Sequence, residues 1–324
     1  MSEYFHSRRN INILFLGGAK RVSMAEQLIK AGNSFGIEVK IFSHELSPCE
    51  PIASIGSIIT GSKYMSPAID AELDEIITNR DIHIVLPFID PAIEVAARCK
   101  ERHPEVFVPV SSEEVAKTMF DKVLSAKAFE DAGIPIPATY NDTTHLPMIL
   151  KPRRGSASKG IIVARNADEL NAASDPDGYL MQEYIADREE YTVDCYVGTQ
   201  DKEVKCAVPR IRLATAGGEV IRTETRRIQD LETLSHETLK KLHLEGAVTL
   251  QFLHDLETGR FLLMEVNPRL GGGVICSICA GANIAKMIIS ESIGINAMPA
   301  KDWQDGVLMT RYMKEVIFKN NEMQ

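Results

Sequence analysis

Apolar positions in the first third of the chain follow two alternating periods. Residues 12–16 form a short apolar run with the character of a buried strand. After Gly17-Gly18, apolar residues recur at helical spacing from about residue 22 to 31. Residues 38–43 predict a second strand, and Ile58-Ile59 continues the pattern. A helix near 67–79, a strand over 82–87, a helix over 91–102 and an apolar segment at 106–110 complete the region. Strands alternating with helices predict an open parallel sheet. Ser111-Ser112-Glu113-Glu114 has the spacing of a capping box. Helical periodicity then runs to Ala132 with a break near Asp121, and it ends at Gly133 before Pro135 and Pro137. That punctuation marks a change of domain. From Pro147 onward the period is two rather than 3.6.

Within the period-two region, residues 246–255 and 264–269 flank the turn Leu256-Glu257-Thr258-Gly259 and predict a β-hairpin. Counting outward from Thr258 sets Gln251 opposite Glu265, and strand alternation adds Asn267 to that face, with Arg269 just beyond. One carboxylate and two amides supply hard oxygen ligands without His or Cys, which suits Mg²⁺, with Mn²⁺ as a substitute. The plain alternative is a cross-strand polar pair on a solvated face.

Further signals precede the hairpin. Met148-Ile149-Leu150-Lys151-Pro152 is a strand with a Lys near its end, followed by Arg153-Arg154-Gly155-Ser156-Ala157-Ser158-Lys159-Gly160 and a return strand at 161–163. Gly and Ser let backbone N–H groups turn toward an anion, so this loop is expected to close over a triphosphate. It is not a Walker loop, because the G-x-x-x-x-G-K-[ST] order is missing and a strand follows. The extended segment 179–185 offers backbone groups to an adenine edge, and a carboxylate in Glu189-Glu190 can accept ribose hydroxyls. Arg210 and Arg212 share a strand face and could grip a substrate carboxylate or phosphate. Asp90, beyond the strand over 82–87, is a candidate substrate contact, with helix capping as its ordinary explanation.

The composition narrows the class. At 324 residues the chain has room for about two domains. Its 44% hydrophobic and 25% charged content are those of a globular protein. A net charge of −9 argues against a general nucleic-acid binder. No apolar run approaches the roughly 20 residues of a bilayer span, and the basic start leads into a strand rather than a signal segment. Of six scattered cysteines only Cys276 and Cys279 have CxxC spacing; these two are expected to be buried thiols, with redox or metal chemistry as the alternative, in a reduced, cytoplasmic setting. Gly17-Gly18-Ala19-Lys20-Arg21 does not spell G-x-G-x-x-G, so a nicotinamide oxidoreductase is the weaker rival, although the turn could still receive an anion.

In order along the chain, Asp121-Lys122, Leu150-Lys151-Pro152, the Gly/Ser hairpin, Gln182-Glu183-Tyr184-Ile185, Glu190-Tyr191-Thr192-Val193-Asp194, Gln251 and Glu265-Val266-Asn267-Pro268-Arg269 resemble the ATP-grasp superfamily. The chain is most similar to one synthetase half of the carbamoyl-phosphate synthase large subunit and to related carboxylate–amine ligases. The resemblance implies a mixed α/β and α+β fold: a Rossmann-like pre-ATP-grasp domain over 1–111, then a two-lobed ATP-grasp domain over 112–324. Its small lobe would span about 138–186 and its large lobe about 187–324. The resemblance implies that Lys122 and Lys151 hold ATP phosphates under a loop containing Ser156, Ser158 and Gly160. Glu183, Tyr184 and Ile185 would meet adenine and Glu190 the ribose. Glu265 would bridge two Mg²⁺ ions, with Gln251 on one and Asn267 on the other, and Arg269 would stabilise the moving phosphoryl group. The implied reaction joins a small carboxylate to an amine through an acyl phosphate, and the resemblance implies a homodimer. With a single synthetase half, complete carbamoyl phosphate synthesis is not expected of this chain alone, and a non-catalytic ATP-binding subunit is the alternative.

Overall fold

The computed structural model describes residues 9–155, 159–171 and 178–323. Its first sheet comprises β1 (Asn10–Leu16), β2 (Glu38–Glu45), β3 (Ser57–Thr60) and β4 (Ile84–Pro87), all parallel in the order β3-β2-β1-β4. The alternation of β1 sends Ile11, Ile13 and Phe15 into one core and Leu14 and Leu16 into another. Helix α1 (Val22–Ser34) buries Met24, Ala25, Leu28 and Ala31, a stripe at three- and four-residue spacing. Helices α2 (Ile69–Asn79) and α3 (Asp90–Arg102) cover the opposite face. The apolar segment after α3 adds only a parallel bridge from Phe107 to Ile84. Pro109 in this segment has no N–H to extend a ladder.

Two helices follow. Ser112 caps α4 (Glu113–Phe120) by accepting from the Val115 N–H at 3.3 Å. The expected break falls at Asp121, whose carboxylate accepts from Val123 N and Leu124 N and so starts α5 (Lys122–Asp131). Beyond Gly133 lies a small antiparallel sheet of β5 (Thr139–Tyr140), β6 (Met148–Pro152), β7 (Ile162–Ala164) and β8 (Tyr179–Glu183), in the order β5-β8-β6-β7. Helix α6 (Ala167–Asn171) follows β7.

The largest sheet is antiparallel throughout. It contains β9 (Arg188–Val197), β10 (Val204–Ala216), β11 (Glu219–Thr225), β12 (Gly246–Asp255), β13 (Phe261–Asn267) and β14 (Leu308–Thr310), ordered β13-β12-β9-β10-β11-β14. Helix α7 (Gln229–Lys241) packs on one face over Val193, Leu250 and Phe252. On the other face Tyr196, Val208 and Ala247 share a core with α8 (Val274–Cys279), α9 (Ile284–Ser292) and the first sheet. That shared core fixes the strand ends of the first sheet beside β12 and β13. At the junction Ala247 N donates to the Pro109 carbonyl at 3.1 Å. Gly246, at φ +71°, leaves room that any Cβ would take from that carbonyl.

Candidate active site

The hairpin of β12 and β13 pairs Gln251 with Glu265 and Thr249 with Asn267. The turn sets His254 opposite Phe261 and Phe252 opposite Leu263, and a one-residue bulge then brings Glu265, not Met264, opposite Gln251. Gln251, Glu265, Asn267 and Arg269 line one cleft of about 390 Å³ between the small and large sheets. Lys122, Lys151, Glu190 and Asp90 line it too.

Lys151 reaches this cleft from β6 and is buried. Its Nζ donates to Gln182 Oε1 at 2.9 Å. Burial pushes its ammonium down to about 8, against the opposing pull of Glu265. A buried cation held by a neutral amide is poorly compensated and favours an incoming anion. Lys122, at the first turn of α5, donates from Nζ to the Gly155 carbonyl at 2.7 Å. Buried Asp121 ties the two elements together, capping α5 while accepting from Arg153 Nε at 2.6 Å. Ser156 and Ser158 lie outside the described residues. Gly160 stands at φ +74°, and its neighbours Lys159 and Ile161 line the cleft.

At the other end Glu183, Tyr184, Ile185 and Glu190 line the same cleft. Glu183 takes a side-chain bond from Arg260 Nη2 at 3.1 Å. The Arg188 guanidinium lies 5.4 Å from the Tyr184 ring centroid and donates to the Ile185 carbonyl at 2.6 Å. Glu190 lies 3.9 Å from Arg188 Nε and 3.5 Å from Arg212 Nε. The sequence reading missed Lys159 and Arg188. Arg188 was recoverable, since it sits two residues before Glu190 on the same strand face.

Arg269 is gripped from two sides. Asp90 Oδ1 accepts from its Nε at 2.9 Å, and Asn267 Oδ1 accepts from its Nη2 at 3.2 Å. Asp90 therefore does not cap α3; the cap position is Ile89 and has no side-chain bond.

Three expectations are corrected. Arg210 does not meet a substrate: it is fully buried, donating to Asp194 at 2.6 and 3.0 Å and to Thr223 at 3.1 Å. Ser277 of α8 also donates to Asp194, and Gly273 packs on the guanidinium, so this part of the strand face is covered. Arg212 alone of the two lines the cleft. The Gly17-Gly18 turn already faces an anion of the chain, the buried Glu45 carboxylate beside Gly18 and Ala19, which accepts from Ser43 Oγ at 2.6 Å. Of the CxxC pair, Cys276 is buried but Cys279 is exposed. Arg227 stacks 3.9 Å over Trp303, and Arg226 pairs with Glu224 at 3.1 Å.

The donor set fits magnesium. Among the described residues no cluster of three or more His, Cys, Asp or Glu exists, so no all-protein cage is present. One carboxylate between two amides suits an ion held largely by phosphate oxygens and water. Asn267 Nδ2 is buried without a partner, a donor that a phosphate oxygen beside the metal would satisfy, while its Oδ1 accepts from Arg269.

The family described as ATP-grasp in the biosynthetic pathway with Ter operon matches residues 175–315. Biotin carboxylase 1 of Bacillus subtilis is 22% identical over 293 residues, 78% of this chain and 64% of that protein. The chain thus spans less than two thirds of that relative. The biotin carboxylase domain dimer of Hydrogenobacter thermophilus 2-oxoglutarate carboxylase, in complex with MgADP, ADP and bicarbonate, superposes with a TM-score of 0.71 at 17% identity, covering 92% of this chain and 73% of that one. N5-carboxyaminoimidazole synthetase from Staphylococcus aureus, complexed with ADP, gives 0.69 at 15% identity, covering 88% and 78%. Residues 175–315 thus match an ATP-grasp family, and most of the chain is similar to these proteins. Its mixed α/β architecture is the ATP-grasp fold.

Proposed function

We propose that this protein is an ATP- and Mg²⁺-dependent carboxylate–amine ligase acting through an acyl phosphate. The carrying observation is one cleft lined by Gln251, Glu265, Asn267 and Arg269 together with Lys122 and Lys151. In this reading residues 1–111 form the pre-ATP-grasp domain and 112–324 the ATP-grasp domain, with lobes at about 138–186 and 187–324. ATP lies with adenine along Glu183, Tyr184 and Ile185 and ribose at Glu190. Lys122 and Lys151 hold the phosphates beneath the 155–160 loop. Glu265, Gln251 and Asn267 would hold magnesium, which supplies charge neutralisation at the phosphates.

Phosphoryl transfer needs mainly positioning and charge, which this constellation provides. A carboxylate oxygen attacks the γ-phosphorus, and the bond to the ADP oxygen breaks. Arg269, oriented by Asp90, meets the charge that develops on the transferring group. The amine then attacks the acyl carbon, and phosphate leaves with the original carboxylate oxygen. Specificity like that of carbamoyl-phosphate synthase is the finer form of this reading and rests on the order of motifs. Bicarbonate, present in one structural neighbour, is the first carboxylate to try. Assembly as a homodimer has its support in the same neighbour, described as a dimer.

The test is ADP release across a panel of carboxylates and amines, followed by ¹⁸O-labelled carboxylate with the active pair. Label appearing in the released phosphate supports the acyl phosphate; unlabelled phosphate overturns it. MgATP binding without turnover across the panel would favour a non-catalytic ATP-binding subunit.

A further inference from the structure

Arg269 belongs to a second group of charges, where the β1–α1 turn of the first sheet meets β11 and the segment after β14. Arg21 of that turn and Arg311 past β14 both pair with Glu219, at 3.3 and 2.7 Å. A Cβ on Gly272 would stand 3.0 Å from Arg21 Nη1 and 3.1 Å from Arg311 Nη2. The two guanidinium groups therefore approach within about 6 Å of each other over a residue with no side chain. Arg311 also donates to the Gly272 carbonyl.

The charges there do not balance. Arg21, Arg269 and Arg311 face two carboxylates, Glu219 and Asp90. The Arg21 side chain is only 15% exposed. Burial pushes its pKa down, Glu219 pulls it up, and the like charges of Arg269 and Arg311 push it down further. Arg212 stands beside this group: its Nε faces Glu190 at 3.5 Å without a hydrogen bond, and its Nη2 donates to the Gly218 carbonyl at 3.3 Å. Arg212, Gly218, Asp90 and Arg269 all line the nucleotide cleft, so the cleft reaches this group. Surplus cations held partly out of solvent favour an incoming anion.

We propose that Arg21 and Arg311 dock an acidic group, carboxylate or phosphate, carried by one of the two substrates, and that Glu219 holds its place until it arrives. Calling that molecule a substrate rests on the ligase reading above. Guanidinium nitrogens within about 6 Å of each other can both donate charge-assisted bonds of about 2.8 Å to one carboxylate or phosphate. Glu219 follows the Gly217-Gly218 turn and is 46% exposed, so its carboxylate can leave to solvent while the arginines exchange one anion for another.

The test uses the full-length protein in calorimetric titrations with malonate, inorganic phosphate and neutral malonamide, with and without saturating MgADP. Malonate or phosphate is expected to bind and malonamide not to bind. Arg21→Gln and Arg311→Gln should each weaken the anion about tenfold or more. Glu219→Gln should tighten it several-fold. Glu257→Gln, an equal charge change at the exposed hairpin turn, should leave it unchanged. The opposite sign at Glu219 separates the site from a folding defect in the arginine variants. Preference for malonate assigns a carboxylate, and preference for phosphate assigns a phosphate. Anion binding insensitive to Arg21, Arg311 and Glu219, or no anion binding at all, overturns the site. Failure of MgADP to bind overturns the ligase reading, while the nucleotide-free titration still decides this one.

Discussion

Asp90 and Arg269 stand 179 residues apart in the chain, yet Asp90 Oδ1 lies 2.9 Å from Arg269 Nε and 2.8 Å from its Nη2. A helix start on the first sheet thereby aims the arginine that ends the β12–β13 hairpin. Asp90→Asn keeps the shape but removes the charge that orients Arg269. We expect turnover to fall by about tenfold with little change in nucleotide affinity. Steady-state kinetics beside MgADP titration checks this, and an equal loss in both would contradict it.

Glu265→Gln should cost on the order of a hundredfold or more in turnover, since metal-assisted neutralisation is worth several kcal/mol in the transition state. Nucleotide should still bind, more weakly and with less dependence on Mg²⁺. Glu190→Gln should do the reverse, weakening nucleotide while sparing the metal-dependent step. Near-normal ADP formation by Glu265→Gln with unchanged Mg²⁺ dependence would remove the hairpin from the site.

Much of the hairpin was legible in the sequence because strand alternation has a period of two. The count from Thr258 found the right partner for Gln251, although the turn is centred elsewhere and a bulge makes up the difference. The break at Asp121 was legible too, since capping is local. Arg210 was misread because alternation says which face a residue takes, not what covers it. Here Gly273 and Ser277 close over it. Nothing local marks Asp90 as the partner of Arg269, or Arg21 as the neighbour of Arg311. Those contacts exist only once the α1–α9 core has joined the two sheets.

The Arg210–Asp194 pair should therefore matter for folding. Arg210→Met leaves Asp194 charged and buried, with a cost of about 3–5 kcal/mol. Urea denaturation at neutral pH would register it as a lower midpoint. A change in substrate KM with unaltered stability would instead restore Arg210 to the binding machinery.

Lys151 gives two pH dependences of opposite sign. Its pKa falls from 10.5 in an open chain to about 8 in the fold. Between those values the unfolded chain holds the extra proton, so ligand-free stability should rise with pH across that window. Nucleotide affinity needs the charged ammonium, so it should be full below about pH 8 and decline above it. Calorimetry at about pH 8.5 in buffers of different ionisation enthalpy should show proton uptake on binding MgADP, lost in Lys151→Met. Uptake unchanged in that variant would contradict the assignment.

The central claim is that Gln251, Glu265 and Asn267 hold magnesium against ATP phosphates supported by Lys122 and Lys151. A crystal structure with Mg²⁺ and a non-hydrolysable ATP analogue tests it most directly. The account predicts metal within about 2.0–2.1 Å of Glu265 oxygens, bridging to the β- and γ-phosphates, with adenine along Glu183, Tyr184 and Ile185. Nucleotide bound elsewhere, or phosphates in this cleft with no metal at Glu265, would contradict it.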